Sequence, residues 1–180
     1  PEIVWYRVLD LGQIPYAPLA YLPLCSALVF CCFQFLPEMR DERFRISLHL
    51  PCGMAPLILA HLLFGLLFLT LLYGLDALVL VLLCHSAFPP EAARLALLTT
   101  APWFLAGLYA YLCLAFCLLE PQGKARLLGV MLAAGICPLL LARAAPGAFA
   151  PSLPFFAAGL PVLATGLLLP ALNYRHRRIE

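Results

Sequence analysis

Glu42, Arg43, Phe44, Arg45 and Leu48 are the residues whose types and spacing best fit a chemical task, and the task is recognition. Arg40, Arg43 and Arg45 offer charge-assisted hydrogen bonds to acidic groups, and Phe44 and Leu48, four apart, share one face of a helix. They lie in the stretch from Pro37 to Pro51, where Glu38, Arg40, Asp41, Glu42, Arg43 and Arg45 interrupt long uncharged runs on both sides. A compact, mixed-charge element between two apolar rods is suited to touching a soluble partner. A solvated loop whose arginines merely fix membrane topology is the plainer alternative.

Two ionisable residues within apolar runs are candidates for a substrate path, because such groups are costly at membrane depth. Asp76 lies between Leu75 and Ala77, about 37 Å along a helix that starts at Pro51, and is expected at the outer interface. His61 lies about 15 Å along the same helix. His85 follows about 36 Å beyond His61, so the two cannot face one heme iron from a straight helix. His49 stands at the boundary and His176 in the tail, which leaves no paired axial ligands.

Other chemistries lack their residues. The only lysine, Lys124, follows Gly123 but precedes Ala125, and no glycine stands five positions before Gly123, so there is no phosphate-binding loop. The eight cysteines contain no C-x-x-C pair. Cys113 and Cys117, four apart, would need two further ligands to hold a metal, and buried cysteine as a small apolar residue accounts for the set. No catalytic or metal-binding residue is assigned. A membrane-embedded lipid-modifying enzyme using Asp76, His85 and Glu91 is the catalytic alternative, without a D-x-x-D-G or G-x-S-x-G motif to support it. A non-catalytic membrane scaffold is the third.

The elements that position these residues are membrane spans. Of 180 residues 64% are hydrophobic and 11% charged. With a mean hydropathy of +0.99, no soluble domain could carry that balance without large apolar patches. The chain reads as an all-α polytopic membrane helix bundle, a single transmembrane domain over 1–180. Five apolar units are marked by charge boundaries: Leu11 to Pro37, with helix starting near Pro18; Pro51 to Leu75; Leu95 to Leu119; Leu127 to Ala142; and Leu153 to Leu172. Ala77 to Pro90 prolongs the second as one long kinked helix or a re-entrant segment. Gly129 with Ala133, Ala106 with Ala110, and Gly159 with Gly166 expose little bulk and favour close helix approach. The net charge of +2 gives no reason to expect nucleic acid as a partner.

Basic residues set the orientation. A cytoplasmic 37–53 connector places Arg40, Arg43, Arg45, Lys124, Arg126, Arg175, Arg177 and Arg178 inside, and only Arg7, Arg94 and Arg143 outside. Residues 1–14 then form an external interfacial segment and 173–180 a cytoplasmic tail. One further span before Pro1 would bring the count from five to six and return the N-terminus to the cytoplasm.

Glu42-Arg43-Phe44-Arg45-Ile46-Ser47-Leu48-His49-Leu50-Pro51, followed by Gly53-Met54-Ala55-Pro56 and an apolar run, resembles the connector of the ABC-2 type permeases, the membrane subunits of ATP-driven exporters. The heme-exporter permease of cytochrome c maturation shares that architecture. The topology resembles the family over essentially the whole chain, the motif over about fifteen residues. The glycine and threonine that commonly follow the acidic residue in the family are absent. The resemblance implies a bacterial inner-membrane protein, a partner ATP-binding cassette subunit that carries the ATP and Mg, and no cofactor on this chain. It also implies pairing as a homodimer or with a related permease subunit, and export of an amphipathic or lipid-like substrate from among membrane lipid.

Overall fold

The computed structural model describes residues 16–39, 54–88, 90–120, 122–142 and 145–168. The Glu42 to Leu48 connector, the segment before Tyr16 and the tail lie outside them. Within them the chain is all-helical. A short 3-10 turn, Ala17–Tyr21, leads into α1 (Leu22–Met39), followed by α2 (Met54–Ala87), α3 (Pro90–Leu119), α4 (Gly123–Leu140) and α5 (Leu153–Gly166). The first four, α1 with its leading turn, are long and apolar enough to cross a membrane, and the chain is an integral membrane protein. α5, at 14 residues, is shorter.

Helix boundaries follow local chemistry. The first helical turn begins at Ala17 with Pro18 in its opening positions, where a missing N–H costs nothing. Pro90 and Glu91 start α3 five residues ahead of the expected Leu95, because a proline at the first position and an acid in the first turn both suit a helix N-terminus. Arg94 is simply exposed near that start. α4 likewise begins at Gly123, ahead of Leu127, and carries Lys124 and Arg126 on its first turn. Between the two forms open for Ala77 to Pro90, the chain takes the continuous helix. α2 runs through Asp76 to Ala87, about 51 Å in length.

Neighbouring helices alternate in direction, as side-chain pairings show. Gln34 of α1 meets His61 of α2, and Pro23 meets Tyr73, so these two run antiparallel. Tyr111 of α3 lies over Gly65 while Tyr73 lies over Gly107, so α2 and α3 are antiparallel too. Gly129 of α4 packs on Cys117 and Phe116, and Cys137 on Ala106. Gly147 and Gly159, before and within α5, sit beside Thr99 and Tyr109. The roots of α1 and α2 at Met39 and Met54 therefore share one end of the bundle with the α3–α4 turn. The far end holds the start of α1, the α2–α3 turn and the approach to α5.

α3 is the hub. Each of the other four helices packs on it, and 61% of its apolar window is buried, against 11% for α2. Ala93, Ala96, Ala106, Gly107, Ala110 and Ala115 are buried along it and let neighbouring backbones close in. The outer faces remain apolar: Leu63, Phe64, Leu67, Leu71 and Leu75 of α2 are exposed, as lipid-facing side chains are. Pro102 inside α3 removes one main-chain bond. Just before it Thr99 and Thr100 turn their hydroxyls back to the carbonyls of Leu95 and Ala96 at 2.7 and 3.1 Å.

Close approach at Gly107 yields a direct test. A Cβ there would meet the Tyr73 ring and would stand 2.8 Å from the Pro23 carbonyl oxygen, whereas at Gly74 it would meet nothing within 4 Å. Gly107→Ala is expected to destabilise the detergent-solubilised protein by about 1–3 kcal/mol. Gly74→Ala is expected to be neutral or to stabilise by up to ~1 kcal/mol through helix propensity. Thermal melts followed by helical circular dichroism measure both.

Candidate functional site

In a hydrocarbon surrounding there is no water to satisfy a polar side chain, so one too long to reach back to its own helix must find a partner on another. The described bundle meets this demand with three tyrosines, each seated over a glycine of a neighbouring helix. Tyr73 of α2 lies over Gly107 and donates its hydroxyl to the Pro23 carbonyl at 2.7 Å, an acceptor shared with Ser26 Oγ at 2.9 Å. Tyr109 of α3 lies over Gly159 and donates to the Phe156 carbonyl at 2.8 Å. Tyr111 of α3 lies over Gly65 and donates to Gln34 Oε1 at 2.8 Å.

His61 belongs to the third of these joints. Gln34 Nε2 donates to the His61 backbone carbonyl at 2.7 Å, and the half-buried imidazole is tilted against Phe35 with ring centroids 6.5 Å apart. Cys31 completes the tie by directing its thiol to the Tyr111 carbonyl at 3.6 Å. His61 therefore enters the site through its main chain, and Gln34 joins α1, α2 and α3 through one amide.

Asp76 does not come near His61. Fifteen residues on one helix separate them by about 22 Å. Asp76 is half-buried one turn beyond Tyr73, level with the start of α1. His85 is exposed near the end of α2 and Glu91 in the first turn of α3. Among the described residues no group of three or more His, Cys, Asp or Glu side chains is placed to hold a metal ion. Cys31, Cys117 and Cys137 act as small donors to backbone. Cys137 reaches the Ala106 carbonyl at 3.7 Å and Cys117 the Arg126 carbonyl at 3.5 Å.

Two residues that sequence reading passed over prove central. Gln34 is the lone amide of α1, and that isolation within an apolar run was its signal. Glu120 is 1% exposed at the α3–α4 turn. Its Oε1 accepts the Gln122 N–H at 3.0 Å, and its backbone carbonyl accepts Arg126 Nε–H, so one residue stops α3 and starts α4. Arg126 thereby rests where a cation complements the C-terminal dipole of α3.

At the far end, Tyr16 stacks edge-on to Trp103 with centroids 5.9 Å apart. Burial pushes the Tyr16 hydroxyl pKa up, and hydrogen bonding with Thr99 opposes that. Gly147, at φ 75, makes the turn before α5 in a conformation that favours glycine. It donates its N–H to Thr99 Oγ1 at 3.2 Å.

Comparison of the chain with known protein families, with curated proteins and with solved structures finds no match.

The Glu120 turn separates two kinds of substitution. Glu120→Gln keeps an acceptor for the Gln122 N–H and is expected to change the melting temperature little. Glu120→Ala leaves that N–H and a void behind and is expected to cost about 1–3 kcal/mol, read as a lowered midpoint in the same detergent.

Proposed function

We infer that this chain is the membrane subunit of an ATP-driven exporter of the ABC-2 type, docked through Glu42, Arg43, Phe44, Arg45 and Leu48 on a separate ATP-binding cassette subunit that carries the ATP and Mg. One observation carries the reading: the long charged segment of the chain joins two apolar helices, α1 and α2, whose roots stand at the same end of the bundle as Lys124 and Arg126. Basic residues are retained on the cytoplasmic face, where a soluble ATPase would meet them. Helices tied by hydrogen bonds to a common hub pass on displacement that a loose loop would absorb.

The substrate that suits this bundle is amphipathic or lipid-like. The outward faces of α2 and α4 are apolar, and Asp76 and His61 supply isolated polar points along one helix where a ring of charges would be needed for a hydrophilic cargo. Pairing is with a second copy or a related permease subunit, in the inner membrane of a bacterium. The lipid-modifying alternative gains nothing from the placement of Asp76, His85 and Glu91, which are spread along the far end and its turn.

Affinity purification of the full chain from native membranes tests the reading. It is expected to recover a P-loop ATPase, and Arg43→Glu with Arg45→Glu is expected to release that subunit while the helical content stays unchanged. Recovery of no ATPase, or full retention by the doubly reversed variant, overturns the docking assignment.

A further inference from the structure

α2 is the least covered of the long spans. Only 11% of its apolar window is buried, and it packs on α3 with a lesser contact to α1. Its outward side chains form one stripe: Phe64, Leu67, Leu71, Gly74, Leu78 and Leu82 follow at steps of three and four residues. That spacing keeps them on one side of the helix, as the seam of a helix pair requires. The five large ones are 53% to 66% exposed.

Lipid does not account for the whole of this face. From Pro56 to Asp76 the helix already rises about 30 Å, the thickness of the hydrocarbon. The apolar span continues to Ser86, whereas α1 with its leading turn and α4, at 21 and 18 residues, match that thickness. Leu78 and Leu82 stand about 3 Å and about 9 Å past Asp76, where headgroups and water leave leucine uncovered. The outer face of α4 is apolar too, but lipid suffices to cover it.

Thr70 adds an unmet hydrogen bond. Among the described residues the hydroxyls of Ser26, Ser86, Thr99, Thr100, Ser152 and Thr165 return to a carbonyl three or four positions back. Thr70, exposed one turn before Gly74, makes no such bond, and hydrocarbon supplies no water in its place. A Cβ at Gly74 would meet nothing within 4 Å, so the backbone there is open to a second helix.

We propose that α2 is the seam of a parallel homodimer, with Thr70 of each copy donating to a main-chain carbonyl of the other beside Gly74. The occupant is a second copy of this chain, because its α2 carries the same stripe at the same depth and overshoots the hydrocarbon equally. Ten large apolar side chains of α2 are exposed, and at roughly 70 Å² each they offer about 700 Å² per copy. Covering about three-quarters of that on both copies removes about 1,000 Å², enough for a specific interface. Only the need to pair for export rests on the transport reading; the place of pairing is argued from α2.

The test is photocrosslinking of the full chain in native membranes, with two differently tagged copies expressed together. p-Benzoylphenylalanine replaces Leu71 or Leu82 on the seam, or Met131 on the outer face of α4, all of them exposed. Leu71 and Leu82 are expected to give a product of twice 19.7 kDa that carries both tags and joins α2 to α2, and Met131 is not. Thr70→Val, which keeps the shape, is expected to lower the yield about threefold. Gly74→Ile, whose side chain enters open space in the single chain, is expected to abolish the product with helical circular dichroism unchanged. Products that hold only lipid, another protein or residues 1–15 of the same copy overturn the seam. So does a doubly tagged product equally strong from Met131, or one that neither substitution weakens. Seam crosslinks with no ATPase recovered fail the transport reading and leave the dimer, and an ATPase recovered without α2 crosslinks does the reverse.

Discussion

A phenol hydroxyl placed over a glycine of the next helix, bonded to main chain or to a single amide, is the interaction on which this bundle depends. Lipid tails are as apolar as leucine, so burial of leucine against leucine gives transmembrane helices little reason to associate. What distinguishes one neighbour from another is close backbone approach and the satisfaction of polar groups. Tyr73 over Gly107 and Tyr111 over Gly65 supply both, once in each direction between α2 and α3. Tyr109 over Gly159 does the same for α5, whose helical span has no fully buried residue. That helix is held by the tyrosine bond, by the Gly147–Thr99 contact, by half-buried Phe156, Leu160 and Leu163 packed on the core, and by the buried Leu167 beyond its end.

The reciprocal seating also fixes register. Sliding α2 past α3 by one turn would bring the bulk of a leucine or phenylalanine to the tyrosine and strand its hydroxyl in an apolar surrounding, at a cost of roughly 1–3 kcal/mol for each orphaned group. With two such joints between the same helices and α1 attached to both, the three helices form one unit. α4 and α5 are added to the hub's other faces, α4 by Gly129 and Cys137 against Cys117 and Ala106. A bundle organised around one buried helix needs few direct contacts among the outer ones.

The sequence made the membrane class, the all-helical architecture and the order of spans legible, because length and charge-free runs report directly on the thickness of the bilayer. It was less informative about helix ends. Arg94 and Arg126 looked like borders, yet a first turn tolerates exposed charge, so α3 and α4 start ahead of the borders those residues suggested. Small residues pointed correctly to packing faces: Ala106 and Ala110 are buried, Gly129 is pressed by Cys117, and Gly159 underlies Tyr109, while a Cβ at Gly166 would meet only open space. Which tyrosine pairs with which glycine could not be read, since that depends on helix rotation, and hydropathy carries no information about rotation. Gln34 and Glu120 were overlooked for a related reason: one polar residue in an apolar run has no spacing pattern, and its meaning comes from groups distant in the chain.

Each end of the bundle has its own set of polar groups. At the connector end the Tyr111 phenol and the Gln34 amide join three helices, Cys31 reaches the Tyr111 carbonyl, and Glu120 and Arg126 bond across the α3–α4 turn. At the far end Tyr73 and Ser26 share the Pro23 carbonyl, Tyr16 meets the Trp103 ring edge-on, and the Gly147 N–H bonds to Thr99 Oγ1. α2 and α3, at about 51 Å and about 45 Å, exceed the roughly 30 Å of hydrocarbon they cross. Level with the start of α1 stands Asp76, and beyond it the paired ends of α2 and α3 continue to the exposed His85, Glu91 and Arg94. At both ends the polar groups bond across helices or across a turn, so the satisfaction of polar groups, more than apolar burial, selects which faces meet.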